Sequence, residues 1–174
     1  MKIAIHNRKN SFSERWIEYC KKHNISFKLV NAYDSDIVAQ LSDCDAFMWH
    51  FHHALYKDCL FAKQLLYSLE QSGIKTFPNS RTAWCFDDKI GEKYLLESLE
   101  IPTVKTYVFY DRKSAENWLI KAEFPIVFKL RGGAGASNVK LINDRKEARN
   151  IINKAFSKGF YYYDALNACK EAFR

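Results

Sequence analysis

Glycine and proline are scarce in this chain: six and three residues among 174. That excludes low-complexity and collagen-like architectures, which need both in quantity. No apolar run approaches the roughly 20 residues of a membrane-spanning helix. The opening Met-Lys-Ile-Ala-Ile-His is too short in apolar length for a secretory signal, so none is expected. There is no Cys-x-x-Cys pair; Cys20, Cys44, Cys59, Cys85 and Cys169 are odd in number and widely spaced. They read as reduced thiols of a cytoplasmic protein, packed as small core residues rather than paired in a disulfide frame. What is present suffices for a core: 48% of residues are hydrophobic and 16% aromatic. Twenty-seven basic residues against 20 acidic ones leave a net charge of +7 and a pI near 9.1. A basic excess favours anionic ligands, or serves only solubility, and does not choose among them.

The first half alternates strand and helix. Residues 2–6 read as a strand, with Ile3 and Ile5 inside an almost continuous apolar run. A helix is expected from Ser13, taken as its cap, with Trp16, Ile17 and Cys20 at helical spacing. Strands follow at 27–30, 45–51 and 75–77, with helices at 34–41 and 57–72 between them and Gly73 ending the longer one. Such β-α repeats imply a small Rossmann-like parallel sheet with helices on both faces. Ligands of these sheets sit beyond the carboxyl ends of the strands. Here those ends carry Asn7, Arg8, Asn31, His50, His52 and His53, with Asn7, Arg8, His50 and His52 the chosen substrate contacts.

The second half changes character. Ser80 is expected to cap a short helix over 81–86, and Asp87-Asp88 to start another that runs to about Leu99. A strand is expected at 105–110, a helix at 111–122, strands at 126–130 and 139–142, and a helix capped by Asp144. Between the last two strands lies Arg131-Gly132-Gly133-Ala134-Gly135-Ala136-Ser137-Asn138. Three glycines in four residues let backbone N–H groups approach a phosphate closely. No Lys-Ser/Thr pair follows, and a strand stands where a dinucleotide fingerprint would open a helix. The pattern is that of a hairpin folding over a nucleotide as a flap. Lys129 shares a strand face with Val127, opposite Ile126, Phe128 and Leu130, and there it can reach phosphates. The bland reading is a solvated lysine beside a hairpin turn.

Taken together, Pro78-Asn79-Ser80, Asp88-Lys89, Ile101-Pro102-Thr103, Phe124-Pro125-Ile126-Val127-Phe128-Lys129, the 132–137 loop and Val139 resemble the front half of an ATP-grasp protein of the carboxylate–amine/thiol ligase type. The resemblance covers roughly residues 78–160 and extends to the α/β domain that precedes the grasp. It implies a pre-ATP-grasp domain at 1–78, connecting helices at 79–103, an α+β first grasp lobe with the flap at 104–160, and a tail at 161–174. It implies that Lys89 and Lys129 contact phosphates and that Gly132, Gly133, Gly135 and Ser137 form the flap. Members of this superfamily phosphorylate a carboxylate with ATP and let an amine or thiol attack the acyl phosphate, with magnesium bridging the phosphates. ATP and a small carboxylate are therefore the implied partners, a homodimer is compatible with the resemblance, and neither a membrane nor a nucleic acid is expected.

The family's magnesium-binding acids and adenine hinge lie in a second lobe. After Phe160 only 14 residues follow, and Glu171 is the last acid among them. The expectation is a fragment of a longer protein, inactive alone and a weak ATP binder, with its catalytic and magnesium-binding residues elsewhere. Other constellations say less. His50 and His52, read on one strand face, have a spacing that suits a metal, yet no carboxylate or Cys sits at a matching offset, so no metal site is assigned. Tyr161-Tyr162-Tyr163 reads as a surface or interface element. A reading from a different class stays open: a non-catalytic module for a nucleotide or an anionic polymer, marked by steep salt dependence of binding.

Overall fold

A parallel sheet builds the first half, in the order β2-β1-β3-β4: β1 (Lys2–His6), β2 (Ser26–Val30), β3 (Ala46–Met48) and β4 (Lys75–Phe77). The computed structural model describes residues 1–53, 55–132 and 139–160. The chain divides into two compact units, Met1–Phe86 and Asp87–Arg174. Strand β1 sits inside the sheet, paired with β2 on one side (Ile3 opposite Phe27) and with β3 on the other (Ile3 opposite Ala46). Its alternating residues serve two cores, which is why Ile3, Ala4 and Ile5 are all apolar. Ile3 and Ile5 pack with Ile17 and Cys20 of α1 (Phe12–Lys22) on one face. Ala4 joins Phe47, Trp49, Leu41 and the inward Ala62, Leu65, Leu66 and Leu69 of α3 (Tyr56–Gln71) on the other. The short α2 (Ile37–Gln40) contributes Ile37 to that second core.

Two expected caps move by a residue or two. Ser11, not Ser13, caps α1. Ser13 is fully buried instead; its hydroxyl accepts the Arg8 N–H at 3.0 Å and lies 3.2 Å from Asn7 Oδ1 and 3.1 Å from the Arg8 carbonyl. It ties down the β1–α1 loop, a task a buried hydroxyl can do from inside the first turn. Asn79, not Ser80, caps α4 (Ser80–Ala83), accepting the Thr82 N–H at 2.9 Å. Ser80 instead gives its N–H and hydroxyl to Glu70.

The second unit carries α5 (Lys89–Ser98), α6 (Arg112–Leu119), the antiparallel pair β5 (Ile126–Lys129) and β6 (Val139–Ile142), and α7 (Arg145–Ala155). Ile126, Phe128 and Ile142 pack on Leu119 of α6 and Ala148 of α7, which leaves Val127, Lys129, Val139 and Leu141 on the exposed side. The strand expected at 105–110 does not form. Among the described residues no neighbouring strand offers it a ladder, and Tyr107 and Phe109 set their rings 5.0 and 5.2 Å from Trp118 instead. Apolar alternation is a strand signal only where a partner backbone exists. No helix among the described residues is long and apolar enough to cross a membrane.

Candidate functional site

In the second unit, two segments 43 residues apart are fastened together by Asp88. Its carboxylate caps α5, accepting the N–H groups of Ile90 and Gly91 at 3.1 and 3.0 Å. The same carboxylate takes the Arg131 guanidinium through Nε and Nη2 at 3.0 and 2.5 Å. Arg131 first, and then the two helix N–H groups, hold the Asp88 carboxyl at about 2, below its ordinary 3.8. The backbone completes the joint: the Lys89 N–H donates to the Arg131 carbonyl at 2.9 Å.

The consequence is local and chemical. Lys89 opens α5 beside the end of β5, where Lys129 and Gly132 stand on either side of Leu130-Arg131. Lys89 Nζ rests 3.5 Å from Glu92 in a loose i,i+3 surface pair. Such pairs are worth roughly 0–1 kcal/mol, so a phosphate competes easily. Lys129 is exposed on the open face of the hairpin, beside Val127, and no ion pair or hydrogen bond holds its ammonium among the described residues. Gly132 follows Arg131; Gly133, Gly135 and Ser137 lie outside the described residues, as does 161–174. A magnesium site needs several oxygen ligands. Among the described residues no three His, Cys, Asp or Glu side chains converge. Asp88, the acid beside the lysines, already spends its oxygens on Arg131 and on helix N–H groups. The described residues do not fit a magnesium ion.

The first unit has its own candidate place, at the carboxyl ends of its strands. The chain leaves β1 for β2 on one side and returns past it to β3 on the other, so the connections from β1 and β3 run to opposite faces. The carboxyl ends of β1 and β3 therefore flank a topological switch point. Asn7 and Arg8 follow β1; His50 and His52 follow β3. The two histidines are loop residues rather than members of a strand, since β3 ends at Met48, and their ring centres are 6.4 Å apart. Ser11 Oγ lies 2.9 Å from His50 Nδ1. Burial, helped by the Arg8 charge, pushes the His50 imidazole below its ordinary value; burial and the neighbouring His53 and Arg8 do the same to His52. Both rings are thus held neutral near pH 7.

Against these loops sits an acid that sequence reasoning missed. Asp58 of α3 is 1% exposed. It accepts the Tyr33 hydroxyl and the His52 N–H, the latter at 2.6 Å, and lies 3.8 Å from Arg8 Nη1. The only signal in the sequence was its position one turn before Ala62, on the helix face that carries Leu65 and Leu69. Arg131 and Ser11 were missed too; their signals were adjacency to Gly132 and to the start of α1.

No protein-family model matches the chain. A phosphoribosylamine–glycine ligase of Fusobacterium nucleatum subsp. nucleatum is 30% identical over 76 residues, which is 44% of this chain and 18% of that protein. Among solved structures, an ATP-grasp RimK domain protein of Sphaerobacter thermophilus aligns at a TM-score of 0.66 and 18% identity, covering 92% of this chain and 60% of that one. The N5-carboxyaminoimidazole ribonucleotide synthetase of Thermotoga maritima aligns at 0.64 and 21%, covering 86% and 43%. The biotin carboxylase domain of the Hydrogenobacter thermophilus 2-oxoglutarate carboxylase, solved with MgADP and bicarbonate, aligns at 0.63 and 18%, covering 91% and 42%. The class these likenesses define is a parallel α/β sheet followed by a small α+β lobe. Its particular form is the fold of the N-terminal part of ATP-grasp proteins. The chain spans 18% of the curated relative and between 42% and 60% of these solved chains.

Proposed function

We propose that this chain supplies the substrate-side domain and the first phosphate-binding lobe of a cytoplasmic ATP-dependent ligase. In this reading residues 1–78 are the pre-ATP-grasp domain, 79–103 the connecting helices and 104–160 the first grasp lobe. The ligase activates a small carboxylate as an acyl phosphate, and an amine or thiol then displaces the phosphate. The observation that carries the reading is the Lys89 N–H to Arg131 carbonyl bond, reinforced by Asp88. It ties the Lys89 backbone to Arg131, close in the chain to Lys129 and Gly132, and so supports a shared phosphate role for these residues.

The roles follow from the side chains. Lys89 and Lys129 are compact, strongly hydrated point charges, suited to the changing charge of a phosphoryl chain. Their donors stabilise negative charge as it builds on the transferring group. Gly132, Gly133, Gly135 and Ser137 supply close-approach N–H groups and a hydroxyl to the same phosphates. The test is isothermal titration of the full-length protein with MgATP. Lys129→Ala and Lys89→Ala each remove a charge-assisted contact of roughly 1.5–3 kcal/mol, so affinity falls at least about tenfold in each. Undiminished binding in Lys129→Ala removes the central assignment.

A further inference from the structure

The two edges of the parallel sheet are unlike. β4 is three residues long and runs straight into Pro78, and Glu70 takes the Thr76 hydroxyl and the Ser80 N–H beside it. A short edge that ends in proline offers little to another strand. β2 is the opposite case. All five of its residues pair with β1, from Ser26 opposite Lys2 to Val30 opposite His6. It holds neither proline nor glycine, and among the described residues no strand lies on its other side. Every second residue therefore turns its N–H and C=O outward with no ladder to receive them. A lysine is a usual guard of such an edge. Here Lys28 is held in place, its ammonium donating to the Gln40 carbonyl and to Asp43. On the opposite face Leu29 is 53% exposed, although Ile5, its register neighbour in β1, is fully buried. The turns at the two ends of β2 carry opposite charge. Lys21 and Lys22 close α1 just before the strand, and Asp34 and Asp36 follow it. Among the described residues none of the four is in an ion pair; the two acids meet the neutral amides of Asn31 and Gln40.

We propose that β2 is a self-association edge: it pairs antiparallel with β2 of a second copy of this chain about a two-fold axis, and two four-stranded sheets become one. A two-fold axis makes the contact isologous, the same strand serving both sides, and closes the assembly at a dimer. Leu29 lies opposite its own counterpart. Lys28 then faces Val30 of the partner subunit rather than a second lysine, and like charges directly opposite one another destabilise a ladder. Strand reversal brings the Lys21-Lys22 turn of each copy beside the Asp34–Asp36 turn of the other, twice per dimer. Those matched charges at both ends favour a reversed copy of this chain over an unrelated strand, to which the bare backbone edge is equally open. No residue of the edge belongs to the phosphate-binding set, so the pairing stands apart from the ligase reading.

The test is sedimentation equilibrium of the full-length protein over a wide range of concentration, with backbone amide exchange measured on the same samples. The expected result is a monomer–dimer equilibrium, with exchange at β2 slowing as the dimer fills and exchange at β4 unchanged. Leu29→Lys replaces an exposed side chain and sets like charges opposite one another, so it weakens the dimer about tenfold or more while the circular dichroism of the monomer is kept. Lys22→Glu and Asp36→Lys each weaken it about threefold, and the two together restore it, because the swapped charges meet again across the axis. That restoration is a readout a merely structural role of either residue does not give, and it stands even where Leu29→Lys fails to fold. A protein monomeric at every concentration, an assembly that grows past two copies, or a dimer indifferent to Leu29→Lys would each overturn the assignment. So would β2 amides protected in the monomer, which would mean that another part of the chain covers the edge, and so would charge reversals whose losses add instead of cancelling.

Discussion

Replacing Asp88 by alanine removes two contributions that replacing it by asparagine separates. The first is the cap on α5, typically worth about 1 kcal/mol. The second is the ion pair with Arg131. The carboxyl sits at about 2 against an ordinary 3.8, and that shift taken at face value would be about 2.4 kcal/mol. The Arg131 side chain is 70% exposed, so solvent and salt screen the pair, and a discount to about 1 kcal/mol or less is appropriate. Asp88→Ala should therefore cost about 2 kcal/mol, and Asp88→Asn, which keeps a capping oxygen, about half of that. Urea unfolding followed by circular dichroism gives both numbers as midpoint shifts. The sign with pH is fixed. A carboxyl held below its ordinary value stabilises the fold fully above about pH 4 and loses that contribution as pH falls towards 2. The advantage of the native protein over Asp88→Asn should fade across that window and shrink in high salt. If Asp88→Asn is as damaging as Asp88→Ala, or if the gap is unchanged from pH 4 to 2, the joint between α5 and β5 is not electrostatic and the reasoning fails.

His6 gives a second pH signature. It is buried, and its Nδ1 accepts the Ala32 N–H at 2.9 Å, so the ring is neutral with its proton on Nε2. Burial lowers its pKa, against an opposing pull from Asp58. A lowered histidine stabilises fully above its ordinary value of 6.5 and loses that contribution as pH falls below it. Stability measured by urea melts should drop between pH ~7 and ~5, and His6→Gln should flatten that slope, with His50 and His52 carrying the remainder. A slope unaltered by His6→Gln contradicts the assignment. Leu66 is 0% exposed at the centre of the core under α3, so Leu66→Ala should cost about 3 kcal/mol, read as a lower urea midpoint at unchanged m. A cost under about 1 kcal/mol would mean that this face of the sheet repacks around the loss.

What the sequence made legible was local. The β-α repeats show because periods of 2 and 3.6 are written within ten residues of each other, and β5 keeps Lys129 on the exposed face that alternation assigns it. What stayed hidden depended on partners distant in sequence. Ser13 reads as the cap of α1 on paper; only the packed loop shows that it is buried and that Ser11 caps the helix instead. The stretch from Lys105 to Tyr110 has every mark of a strand except, among the described residues, a neighbour. Asp58 looks like a solvated helix residue until Tyr33, 25 residues earlier, is seen to bind it. The Asp88–Arg131 pair spans 43 residues, and no window of local pattern reaches that far.

The ring pair against α6 has a practical corollary. Of the four tryptophans, Trp16, Trp49 and Trp84 belong to the first unit, and Trp118, flanked by Tyr107 and Phe109, is alone in the second. Substituting the other three by phenylalanine would leave a native optical reporter confined to one half of the chain. Its emission would follow that half as it melts, with no dye attached.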